Sequence, residues 1–262
     1  AVLFIAGLAT STKVTIGETE PGSPLLYAEH DYNVSSKMIN QAFPGSEELY
    51  VIGHTDELGG LKRPEVVKAL ADLQAHMLTD PALGGTKGLP DLIRAVNRIT
   101  HYNDPRWYAL PDDPRLIGGL MFLYMMSSPI QGALLEYLDT DETNANIVFY
   151  YKDHQGKTIR RAIEMINQWK ESEESKIDGF TLKLAGGTIG VNAAINDAAF
   201  ATNLIIIPLV FALIFLSVAA FYASFHAGLI MLVAMSFATV LTYAYMGLAG
   251  IGININTVPI IA

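Results

Sequence analysis

Residues 204–250 contain no Lys, Arg, Asp or Glu, and no other feature restricts the fold of this chain as much. Two runs make up the stretch, LIIIPLVFALIFLSVAAFYASF over 204–225 and LIMLVAMSFATVLTYAYMGLAG over 229–250, separated by His226, Ala227 and Gly228. About 20 apolar residues in a helix cross a hydrocarbon core of roughly 30 Å, and each run has that length. They read as two membrane-spanning helices joined by a tight turn over 222–228. The competing reading is a buried hairpin in a soluble protein, but uncharged stretches of this length are rare in soluble cores.

The distribution of charge divides the rest. Lys183 is the last basic residue and Asp197 the last acidic one, so a polar domain precedes an apolar one. Residues 11–187 are numerous enough to bury one sizeable core or two small ones. The formal net charge of −9 argues against nucleic acid as a partner, because phosphate binding needs clustered Lys and Arg. Absence of cysteine excludes disulfides and thiolate metal sites. At the start, AVLFIAGLAT over 1–10 is too short to span a bilayer and reads as the end of a first transmembrane helix or of a signal h-region, the former favoured because no small-residue cleavage site is evident between Ala9 and Lys13. Residues 252–262 read as the start of a further one.

Within the polar part, turn residues Gly17, Pro21, Gly22 and Pro24 predict an extended entry over 12–26. Near-helical spacing of Tyr27, Val34, Met38, Ile39 and Ala42 predicts a helix over 27–43, stopped by Pro44 and Gly45. ELYVIGHT over 48–55 predicts a strand. Pro64 then opens a helix with Val66, Val67, Leu70, Leu73 and Met77 on one stripe, and Pro90 opens another with Leu92, Ile93, Val96 and Ile99 inward. Residues 103–141 break the rhythm as a helical insertion, in which 116–126 are apolar nearly all round. Buried core is the plainer reading of that run. The functional reading is a Met-rich surface for an apolar ligand, lined by Met121, Phe122, Tyr124, Met125 and Met126. ANIVFYY over 145–151, an amphipathic helix over 157–172 and a strand over 180–185 form a βαβ unit. Together these elements predict an α+β domain with a four-stranded, ferredoxin-like sandwich. Gly186 and Gly187 break the last strand, and a polar helix over 188–202 feeds the first complete span, 203–225.

Other chemistry finds little support. The histidines His30, His54, His76, His101, His154 and His226 are scattered without an HExxH pattern, so no metal site is expected. Gly84, Gly85, Thr86 and Lys87 lack the spacing of a phosphate loop and read as a plain turn. Asp139, Asp141 and Glu142 lack the spacing of a calcium loop and read as a solvated acidic turn. The serine pairs Ser35-Ser36 and Ser127-Ser128 have no base partner, and no cofactor site or catalytic constellation is evident. Asp197 is the one acid beside the apolar stretch. Helix solvation is its plain role, and gating at the domain junction its functional one.

The order of these parts, with LAGGTIGVNAAIND over 184–197 and GIGININTVPII over 250–261, resembles the resistance-nodulation-division superfamily. The resemblance is to its MMPL-like branch, which carries sterol-sensing-domain-like helices. It implies an N-terminal fragment of a multi-pass transporter in the bacterial inner membrane, with residues 11–187 as a porter-type periplasmic domain. It further implies proton-driven movement of lipids or other hydrophobic molecules, no enzymatic activity, and acidic relay residues in a fourth helix beyond Ala262. Membrane lipids, a lipid-like substrate, further copies of the chain and periplasmic accessory proteins are the partners it implies. A membrane-anchored lipid sensor or receptor without pumping is the alternative; a lipid-modifying membrane enzyme would need catalytic groups outside this stretch. Ionisable groups inside a membrane are costly and serve ion pathways, and repeated halves allow alternating access.

Overall fold

A computed structural model describes residues 7, 10, 14–19, 21–23, 25–254 and 257. The chain is α+β and divides into two units. One comprises Val34–Asp153 with Arg160–Gly190, the other Ala1–Asn33, His154–Ile159 and Val191–Ala262. We label the helices α1 (Asp31–Ala42), α2 (Pro64–Met77), α3 (Leu89–Thr100), α4 (Pro114–Ser127), α5 (Gly156–Lys170), α6 (Gly187–Phe221) and α7 (Phe225–Ala249). The strands are β1 (Glu47–Thr55), β2 (Leu83–Lys87), β3 (Asn144–Tyr151) and β4 (Phe180–Gly186).

The first unit is built on one sheet of order β2-β3-β1-β4, antiparallel at every pairing. Strand β1 is central, paired with β3 on one edge and β4 on the other, and its residues alternate as one covered face requires: Leu49, Val51 and Thr55 are buried, while Tyr50, Ile52 and His54 are half-buried. Two crossovers skip a strand each. The chain passes from β1 through α2 to β2, with β3 between them, and from β3 through α5 to β4, with β1 between them. Gly53 lets α2 approach β1, since a Cβ there would meet Leu70 Cδ2 at 2.7 Å. Helix α5 buries Ile159, Ala162, Ile166 and Trp169 at helical spacing.

Strand β2 corrects one expectation. Gly84 to Lys87 form an edge strand, not a plain turn, pairing with Phe149 and Val148 through Thr86 and Lys87. Glycine pairs give no β signal, yet this edge requires them: a Cβ on Gly84 would lie 1.8 Å from the Pro44 carbonyl oxygen. The helices between β2 and β3 start as their sequences predict. Asp91 accepts from the Gly88 N–H at 3.0 Å ahead of α3, and Asp113 accepts from the Arg115 N–H at 2.8 Å at the start of α4.

The second unit is a helical hairpin with short segments gathered at one end. Helix α6 runs without a break at 202–203, so the expected junction helix and first span are one helix. It ends at Phe221, Ala223 turns with φ of 46°, and Ser224 caps α7 by accepting from the Ala227 N–H. Gly228 sits against Phe215, where a Cβ would be 2.9 Å from the ring, and Phe215 meets Phe225 edge-on at 5.3 Å. Both α6 and α7 are long and apolar enough to cross a membrane. The apolar windows of the two helices are 0 % and 11 % buried, which is the reverse of a soluble core hairpin and points to membrane association.

Of the expected first span over 1–10, Gly7 and Thr10 are helical and the rest lies outside the described residues. Gly7 is packed on α7, where its missing Cβ would meet Val240 Cγ1 at 2.9 Å and the Ala244 methyl at 3.8 Å. Of the expected span over 252–262, Ile253 is in an extended bridge to Ile16; residues 255, 256 and 258–262 lie outside the described residues.

Candidate functional sites

Helix α4 divides the five residues that the sequence singles out. Met121 is 1 % exposed and belongs to the core with Ile117 and Leu120, so it cannot line an outer surface. Phe122, Met125 and Met126 are 56 %, 47 % and 67 % exposed. Tyr124 is half-buried and meets Tyr137 edge-to-face at 6.1 Å. The helix is therefore core on one side and an apolar surface on the other. Gly119 opens that surface further, with nothing within 4 Å of where its Cβ would be. At one border Lys87 lies 5.1 Å from the centre of the Tyr137 ring and pairs with Glu136 at 2.6 Å. That pairing holds the lysine's pKa above its usual value.

The acidic turn is structural. Asp139 accepts from the N–H and hydroxyl of Thr143 at 2.7 and 2.8 Å and from the N–H and side-chain amide of Asn144 at 2.9 and 2.6 Å. Burial pushes this carboxyl up, but the four donors outweigh it and hold the pKa at about 2. Glu142 pairs with Lys62 at 2.5 Å. Among the described residues, no group of three His, Asp or Glu side chains could hold a metal ion. His54 bonds to Asn144 at 2.8 Å, and His76 to the Met165 carbonyl at 3.1 Å, while His101 stacks on Trp107 at 3.6 Å.

One buried charged pair was not legible in the sequence. Asp80 has a fully buried carboxylate that takes a two-point contact from Arg161, Nη2 to Oδ1 at 2.7 Å and Nε to Oδ2 at 2.8 Å. Beside it lies the buried Tyr151 hydroxyl without a hydrogen-bond partner, its pKa raised first by burial and then by Asp80. The pair ties the end of α2 to α5, and nothing in the spacing of residues 80 and 161 announces it.

A second unforeseen feature is the junction in the helical unit. Gly17 N–H donates to the Ile253 carbonyl at 2.7 Å, and Ile253 N–H to the Thr15 carbonyl at 2.8 Å, in a parallel pairing. Asn254 Nδ2 donates to Glu18 Oε1 at 3.1 Å, and the Gly156 N–H to the Glu18 carbonyl at 2.8 Å. Three glycines make this possible. A Cβ on Gly252 would stand 2.0 Å from the Gly17 oxygen, one on Gly156 2.0 Å from the Ile16 oxygen, and one on Gly17 2.7 Å from Asn196 Nδ2. Gly17 is thus in close contact with both Asn196 of α6 and Gly252. Asp197, the next residue to Asn196 on α6, is exposed. The one visible signal was glycine in each of three short segments distant in sequence.

No family model matches this chain, and no curated protein matches it.

Proposed function

We propose that this chain is part of a multi-pass transporter of the resistance-nodulation-division type, in its MMPL-like branch, that moves lipids or other hydrophobic molecules. The observation that carries the reading is the sheet order β2-β3-β1-β4 with both helical crossovers skipping a strand. This antiparallel order supports the reading of a ferredoxin-like sandwich, with α3 and α4 as an insertion between β2 and β3. Support comes also from α6, which leaves the sheet's last strand directly and becomes the first arm of an apolar hairpin. Such an arrangement suits a porter domain in the periplasm and helices in the inner membrane. Fold analogy alone does not specify an activity, so the assignment of substrate rests on the apolar face of α4. Phe122, Met125 and Met126 present polarizable and aromatic groups that adapt to apolar ligands, with Tyr124 at the edge.

In this reading the chain itself performs no bond-making chemistry and needs no cofactor, and a proton gradient supplies the energy. Asp197 is the junction residue that responds to the cycle. The testing experiment is transport of a fluorescent lipid by the protein reconstituted in vesicles, with and without an imposed proton gradient. Gradient-dependent movement is the expected result. Binding that saturates without movement and ignores the gradient would replace this reading with that of a lipid sensor or receptor.

A further inference from the structure

One side of α6 is covered. Asn192, Asn196, Ala199, Asn203, Ile207 and Val210, three or four residues apart, are buried or half-buried, while Thr202, Ile205 and Ile206 around Asn203 are exposed. A covered helical stripe is ordinarily apolar. From Ile207 on this one is, but up to Asn203 it carries three amides. Asn203 is the most deeply placed of them, 6 % exposed, and its Oδ1 and Nδ2 are both fully buried without a hydrogen-bond partner. An amide that leaves water without replacing either of its hydrogen bonds weakens the fold, so native proteins rarely keep one.

The neighbours on the stripe show where this amide stands. At 1.5 Å per residue Asn203 lies about 10 Å beyond Asn196 and about 6 Å short of Ile207. Asn196 abuts Gly17, whose missing Cβ would be 2.7 Å from its Nδ2, and the next residue, Glu18, accepts from Asn254 Nδ2 at 3.1 Å. Ile207 packs on Met246 and Ile253 together with Val14 and Tyr243. Asn203 therefore marks the border between a polar layer on one side and an apolar cluster on the other.

We propose that Asn203 is a binding site for a hydroxyl group, which donates to Oδ1 and accepts from Nδ2. The chemistry of the amide selects this ligand. A bare cation would take Oδ1 and be repelled by the Nδ2 hydrogens, and an anion would take Nδ2 and be repelled by Oδ1; a hydroxyl carries one donor and two acceptor lone pairs and closes a ring with both. Two sources offer a hydroxyl at this border. One is a water entering from the layer of Asn196 and Glu18, and the other is the alcohol end of an apolar molecule whose chain follows the cluster at Ile207. The site stands on the helical unit alone and does not depend on transport by the chain.

The test uses the natural full chain, labelled with nitrogen-15 and placed in nanodiscs of deuterated lipid, alone, with 1-dodecanol and with dodecane. The Asn203 side-chain amide is assigned through the Asn203-Leu204 step, the one Asn-Leu pair in the sequence. Magnetisation transfer to that amide from water in all three samples identifies water as the source. Transfer from the hydroxymethyl protons of dodecanol identifies an alcohol, and dodecane should then give no such signal. Transfer from protein methyl groups alone, in every sample, means an amide that stays dry and overturns the proposal. Asn203→Leu, which keeps the size and removes both hydrogen-bonding ends, gives an independent readout. Loss of the bound hydroxyl should lower the unfolding temperature by about 2–4 °C for water, or abolish the rise that dodecanol gives the natural chain. An unfolding temperature equal to or above that of the natural chain, with no difference in response to dodecanol, also overturns it.

Discussion

The sheet unit buries an apolar core and satisfies most of its buried polar side chains, though α4 keeps an apolar outer face, whereas the helical unit displays apolar side chains and uses glycines and amides to join its segments. Ile166 in α5 is fully buried, while Leu213 in α6 and Val233 in α7 are more than half exposed. The same residue types thus serve opposite solvents. In water, burial of apolar area drives packing; in lipid that drive between helices vanishes, and close contact through small residues takes its place. Gly7 against Val240 and Gly228 against Phe215 are the contacts expected of the second regime.

The largest test of this contrast is Asp80→Ala. It removes the buried carboxylate and leaves Arg161 without its partner and the Ala82 N–H without its acceptor. Loss of one partner of such a pair costs about 3–5 kcal/mol, and Arg161 is partly exposed, which favours the lower end. Denaturant unfolding followed by tryptophan fluorescence should report about 3 kcal/mol; a loss below about 1 kcal/mol would mean that the pair contributes little to this unit. Next comes a matched pair of substitutions. Ile166→Ala should cost about 3 kcal/mol by leaving a cavity, and Leu213→Ala should leave unfolding in detergent unchanged. Equal losses at both positions would erase the distinction between the two units.

At the junction, Gly252→Ala places a methyl group where the Gly17 oxygen already stands, and Gly156→Ala does the same at Ile16. Relief requires the paired segments to part, at a cost of about 1–3 kcal/mol. Faster amide exchange at Gly17 and Ile253 is the expected sign, since these N–H groups bond only across that pairing. Unaltered exchange would show that the pairing tolerates the change.

The acidic turn yields a pH dependence of smaller size. Asp139 has its pKa lowered from the ordinary 3.8 to about 2, so the folded state favours the carboxylate. A depressed carboxyl stabilises the fold above its unfolded value, and that contribution fades as pH falls from 3.8 through about 2. The corresponding figure is at most about 2 kcal/mol, reduced by solvent because the side chain is only partly buried. Stability measured from pH 5 down should fall less steeply in Asp139→Asn than in the natural chain; identical slopes would remove Asp139 from the account.

Much of this contrast was written in the sequence, but unevenly. The uncharged runs revealed the hairpin because length and composition are what a bilayer selects. Alternation in ELYVIGHT and helical spacing in Ile159, Ile166 and Trp169 revealed β1 and α5, since one buried face leaves that pattern. Strand β2 escaped notice because its role depends on Pro44 crossing it, a contact that favours glycine over any β-former. The Asp80 to Arg161 pair and the Gly17, Gly156 and Gly252 junction escaped for a related reason: they join residues far apart in sequence through side chains or missing ones, with no period to detect. On α4 the pattern was present, but apolar residues on both sides concealed which side was core. On α1 the spaced apolar residues Val34, Met38 and Ile39 are exposed, which spacing alone does not tell.

The smallest expected effect on stability bears most on function. Phe122→Ser and Met125→Ser alter exposed side chains of α4 and should change stability by no more than about 0.5 kcal/mol. Met121→Ser, one residue from Phe122 but inside the core, should cost about 2 kcal/mol or more by combining a cavity with a buried hydroxyl. If the outer face of α4 takes an apolar ligand, the first two variants weaken binding of a fluorescent lipid while unfolding as the natural chain does. Met121→Ser would then weaken binding only in proportion to the protein that has unfolded. Equal affinity in all three, measured on folded protein, would remove α4 from the ligand's path and leave its exposed methionines to another surface. A loss confined to Phe122→Ser would narrow the contact to the aromatic ring, and the next residue to change would be Tyr124 at its border with Tyr137.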